Sequence, residues 1–84
     1  MDIGQGRTGF GRELFLLRFR GLRISQEAFA RRFGLTLGAV KDQEQGRHEP
    51  SRAMRVLVAA IEMDPELIER AAKVAASRAA GGPQ

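Results

Sequence analysis

Hydrophobic residues in this chain recur at three- and four-residue steps, and no stretch alternates with the two-residue rhythm of a strand. The pattern predicts five helices. The first covers 10–20, with Leu14 and Leu17 apolar and Arg12, Glu13, Arg18 and Arg20 polar. Phe10, Phe15, Leu16 and Phe19 make it more apolar than a surface helix needs, so another part of the molecule or a partner must cover some of it. Gly21 is the expected stop. Ser25 then caps a second helix of about eight residues, in which Phe29, Ala30 and Phe33 share a face and Glu27 favours the positive end. Gly34 supplies a left-handed exit and Leu35 reaches back to the core.

Thr36 caps a third helix, with Leu37 and Val40 at i and i+3 and Gly46 at its end. Pro50 keeps 47–49 out of a helix, and Ser51 caps a fourth over 52–63. There Met54, Leu57, Val58 and Ile61 form an i, i+3, i+4, i+7 stripe. Asp64-Pro65-Glu66 combines a cap, a first-position proline and an acid in the first turn. It starts a fifth helix through Leu67, Ile68, Ala71, Ala72 and Ala75 toward Ala80. The expectation is a single all-α domain over 10–80. A glycine-rich, poorly ordered segment (1–9) precedes it and a short frayed tail (81–84) closes the chain.

At 84 residues such a domain buries roughly 60–65% of its unfolded surface. Without cysteine it has neither disulfides nor a thiolate metal site, so capping or dimerisation has to contribute stability. No apolar run approaches a membrane span, and the first residues lack the basic-then-apolar order of a signal peptide. A soluble cytoplasmic chain without membrane contact is expected. Of the net +4, residues 1–60 carry +5 (11 Lys/Arg against 6 Asp/Glu) and residues 61–84 carry −1 (3 against 4). Arginine dominates, and its planar fork suits phosphate and guanine edges. The basic body points to a polyanion.

Two short helices joined by Gly34-Leu35-Thr36 make a helix-turn-helix, whose second helix can enter a major groove. The longer string "SQEAFARRFGLTLGAVKDQEQGRHEP" carries more. Ser25-Gln26-Glu27, Phe29-Ala30, Phe33-Gly34, Thr36, Val40, Glu44-x-Gly46 and Pro50 fall in the order and spacing of one family. By these residues the chain resembles the Cro/repressor-like (lambda-repressor-like) helix-turn-helix regulators of bacteria and phages, including small antitoxin-type repressors. The resemblance implies a five-helix domain with helices 2 and 3 as the motif. It implies that Gln26 holds a phosphate or reaches a base edge, and that Leu37, Gly38, Lys41 and Asp42 meet the bases. Gln45, Arg47 and His48 then grip the backbone, while Arg18 and Glu44 form a pair joining helix 1 to the end of helix 3.

The chemistry fits unevenly. Gln26 stands at a helix N-terminus, itself an anion site. Lys41 suits a phosphate or guanine, Asp42 can accept from cytosine N4, and Leu37 has only a methyl contact to offer. Gly38 has no side chain; it lets backbone approach closely, at about 0.5–1 kcal/mol against alanine. Lys41 and Asp42 are also at home on a solvated face, and Arg31 and Arg32 read as surface charge before phosphate grips. So thin a reader relies in part on DNA shape.

Two departures from the family pattern stand out. Between Leu17-Arg18 and Ser25-Gln26 the chain is one residue longer, which leaves Arg18 open between a structural pair and a phosphate contact. At Gln43 the family usually has tryptophan or another large apolar residue. Either Gln43 lays its methylenes on the core and keeps its amide wet, the favoured expectation, or it marks a weakened motif.

The literal G-x-G-x-x-G at Gly4, Gly6 and Gly9 lacks the preceding strand that a dinucleotide site needs. The phenylalanines are read as core, and His48 alone cannot hold a metal. With no nucleophile–base pair, phosphate loop or grouped carboxylates, neither an enzyme nor a cofactor is expected. The leading expectation is a sequence-specific DNA-binding regulator, a repressor. It would bind a two-fold operator as a homodimer through helix 5 or helix 1, with half-sites about 34 Å apart. The alternative is a protein-binding module, an antitoxin masking a toxin or an adaptor. Gln43, Gly38, Leu37 and the apolar surplus of helix 1 motivate it.

Overall fold

The computed structural model describes residues 9–81, and these are all-helical, with no strand among them. The expectations for residues 1–8 and 82–84 lie outside the described residues. Gly9 and Gly81, placed by sequence in the two flanks, open the first helix and close the last. The elements are α1 (Gly9–Leu16), which runs on as a π-helical turn (Leu17–Leu22), then α2 (Gln26–Phe33), α3 (Leu37–Gln45), α4 (Arg52–Met63) and α5 (Pro65–Gly81). None of them is long and apolar enough to cross a membrane.

The side-chain caps stand where the sequence predicts them. Ser25 Oγ accepts from the Ala28 N–H at 3.0 Å, Thr36 Oγ1 from Ala39 at 3.0 Å, and Ser51 Oγ from Met54 at 3.0 Å. Each satisfies one of the amides a helix start leaves without a partner. Asp64 works in both directions. Its N–H donates to Ala60 O at 2.9 Å and closes α4, while its Oδ1 accepts from Leu67 N–H at 3.1 Å and opens α5. Asp64→Ala should therefore lower stability by about 1 kcal/mol, read as a reduced urea midpoint, and Asp64→Asn should retain most of it.

The helices close on Leu14, Phe29, Ala30, Phe33, Val40, Val58 and Ile61, all buried. The Phe29 and Phe33 rings meet at 4.8 Å and a tilt of 59°, a favoured aromatic geometry. Leu35 packs on this cluster from the turn, and Met54 and Leu57 complete the stripe of α4. α1 lies directly on α3. A Cβ on Gly11 would stand 2.8 Å from the backbone oxygens of both Gln43 and Glu44, so only glycine permits this approach.

Helix 1 departs from expectation at its end. Gly21 does not stop it; the chain stays helical through Leu22, and Arg23 makes the left-handed exit at φ 56°. The π-turn, with its i→i+5 bonding, is wider than an α-turn and carries the chain from Leu17 to Leu22. A left-handed arginine costs about 1–2 kcal/mol where glycine would cost nothing. Phe19 also departs from the core reading. It is 58% exposed and stacks on Phe15 with centroids 5.2 Å apart, instead of entering the interior.

Candidate nucleic-acid interface

Gly34 adopts φ 74° and ends α2, and the Leu35 N–H returns to Ala30 O at 2.9 Å. Two residues later Thr36 caps α3, so the two short helices meet through a turn with satisfied backbone groups. Val40 anchors α3 to the core, and Gly46 at φ 72° ends it.

Beneath this corner lies a buried polar cluster. Glu44, 1% exposed, accepts from Arg18 Nε at 2.6 Å and Arg18 Nη2 at 3.0 Å. Arg18 Nη1 also donates to the Ile24 carbonyl at 2.9 Å, tying the chain just ahead of α2 to helix 1. The two-pronged contact is the geometry that suits guanidinium to carboxylate. Arg18 is thus the structural partner of Glu44 and is itself buried, away from any backbone it would grip.

Gln26 joins the same cluster: its Nε2 donates to Glu44 Oε1 at 3.0 Å. The resemblance assigns Glu44 only to Arg18, so this bond is an addition. The first residue of α2 and the last turn of α3 share one carboxylate, which fixes the Gln26 side chain and holds the corner between the helices.

On the outer side of α3, Gly38, Lys41 and Gln45 are exposed at i, i+3 and i+7, a single helix face. Leu37 stands at its edge, 37% exposed. Lys41 has no hydrogen bond or ion pair among the described residues. Space beside Gly38 is open: a Cβ there would meet nothing within 4 Å. Asp42 lies where α3 meets the loop after it, and its Oδ1 accepts from Arg47 Nη1 at 3.3 Å. Both remain accessible, so this pair is weak and can open for another partner. His48 is exposed in the same loop.

Gln43 overturns one expectation. Its amide oxygen is not wet: Oε1 is buried and has no hydrogen-bond partner among the described residues. The backbone of the same residue lies under α1 at Gly11, so Gln43 stands in the α1–α3 contact. An unsatisfied buried acceptor costs about 1–3 kcal/mol. Arg32 is tied up too, donating to Glu69 of α5 at 2.8 Å, whereas Arg31 is exposed.

The face formed by α3 and the loop after it is therefore accessible and built on a buried ion cluster. Comparison with protein-family models, curated proteins and solved structures finds no match to the chain.

Proposed function

We propose that this chain is a lambda-repressor-like helix-turn-helix regulator, a repressor that binds DNA sequence-specifically as a homodimer in the cytoplasm. Gly38 carries the reading. A glycine in a helix is destabilising against alanine, by up to about 0.5–1 kcal/mol in the interior and less in the first turn, where Gly38 stands. No neighbour among the described residues requires one there. A demand from outside explains it: α3 lies so close to its target that a side chain would intrude. Lys41 and Gln45 on the same face, with Arg47 beside it, supply cation and amide chemistry for phosphates and base edges.

Fluorescence anisotropy with the DNA flanking its own gene tests this. Binding should prefer one sequence and weaken with salt. Lys41→Ala should reduce affinity, and should lower the log–log salt slope by about 0.9 if Lys41 contacts a phosphate. Gly38→Ala should give a protein at least as stable, by up to about 0.5 kcal/mol, that binds DNA less well. Retention of full affinity in both variants, or binding without sequence preference, refutes the reading.

The homodimer is supported by apolar surface that the chain leaves uncovered. Val56 (62% exposed) and Met63 (85%) on α4 join Leu67 (47%) and Val74 (48%) on α5. Sedimentation at micromolar concentration should show a dimer that Leu67→Lys and Val74→Lys disrupt; a strict monomer refutes it. The same surface favours the second reading, a protein-binding module such as an antitoxin. A stoichiometric partner in pull-down with no detectable operator would decide for it.

A further inference from the structure

The π-turn at the end of helix 1 shapes a concave site of about 570 Å³, lined by Arg18, Phe19, Arg20, Arg23, Ile24 and Ser25. Its size falls in the range of small-molecule sites. Several features converge there. Phe19 is exposed, and with one face stacked nearly parallel on Phe15 (10°) it leaves the other free. Arg20 and Arg23 are both exposed and neither side chain has a hydrogen-bond or ion-pair partner among the described residues. Arg18 is already neutralised by Glu44, so the site's positive charge comes from those two forks. Arg23 holds its place in a left-handed conformation that glycine would adopt without strain. Local π-helix itself is rare and concentrates at functional positions.

We infer that this cleft is a binding site for a small planar anion, an aromatic carboxylate or a phosphorylated aromatic, stacked on Phe19 with its charge between Arg20 and Arg23. A flat apolar body accounts for the exposed ring, and an anionic group accounts for two unpaired guanidinium forks, which match carboxylate and phosphate oxygens. An ion alone leaves the ring unused, and a neutral aromatic leaves the arginines unused. The site is formed by the free chain, so its occupancy stands or falls independently of DNA binding.

The test is titration of the full-length protein with 2-naphthoate, followed by backbone amide shifts in NMR. Saturable shifts should centre on residues 18–25. Phe19→Ala should weaken binding at least fivefold, and Arg20→Gln with Arg23→Gly at least tenfold. Arg23→Gly also relieves the left-handed strain, so a folding defect does not explain its loss of affinity. Neutral 2-naphthamide should bind at least tenfold more weakly than 2-naphthoate, and inorganic phosphate should bind more weakly still. Shifts spread away from 18–25, equal binding of the neutral amide, equal binding of phosphate, or unchanged affinity in these variants would overturn the assignment. Random-sequence duplex DNA shifting the same amides while 2-naphthoate does not would also overturn it, making the arginines grips for a nucleic-acid backbone.

Discussion

Glu44→Ala is expected to remove about 3–5 kcal/mol of folding stability, the cost of leaving a buried charge without its partner. Arg18 is buried, and the carboxylate that the substitution removes is its only counter-ion among the described residues. Small domains lie toward the lower end of a range of roughly 5–15 kcal/mol, so this loss is a large fraction of the total. Urea unfolding monitored by circular dichroism measures it. The double variant Arg18→Met with Glu44→Leu should recover most of the loss, because replacing both charges with well-packed apolar residues is often neutral or better. The double variant also releases Gln26, whose side-chain donor reaches Glu44 Oε1 in the folded chain. Stability and DNA affinity should therefore separate: the fold returns while binding stays weaker. A loss below 1 kcal/mol for Glu44→Ala would show that water reaches the pair.

Gly11→Ala should destabilise by about 1–3 kcal/mol, the usual cost of overpacking. The added carbon would stand 2.8 Å from two backbone oxygens of α3, and a helix backbone cannot swing aside as a long side chain can. The same change at Gly38 points the other way, since nothing lies within 4 Å there. One chemical substitution at two helix glycines thus gives opposite signs, and matched urea titrations of the two variants compare them directly. A Gly11→Ala protein more stable than the parent would mean that α1 does not lie on α3 in this way.

Helix positions and ends were readable in the sequence because their causes are local. Ser25, Thr36, Ser51 and Asp64 bond to amides three residues ahead, and Gly34 and Gly46 act on their own backbone angles. The buried stripes of α2 and α4 come from spacing within one helix. Causes that depend on a second element were not legible. Gly11 looks like any helix-weakening glycine until α3 is laid against it. Gln43 reads as a half-wet amide because its own helix does not reveal that α1, far away in the chain, is laid against its backbone. Gln26 reads as a free donor because its partner stands 18 residues on, in α3. At Phe19 and Gly21 the α-helical period was the wrong ruler, since the π-turn widens the spiral and rotates the residues beyond Leu17.

That turn gives helix 1 a tolerance for changes in length. The widened turn spans Leu17–Leu22, and Arg18 within it faces Glu44. An insertion accommodated by lengthening the loop would leave an arginine free to wander; one accommodated inside the helix keeps the register of the ion pair. Deleting one residue within 19–22 should therefore leave the polar cluster beneath the α2–α3 corner assembled, which a urea midpoint close to the parent's would show.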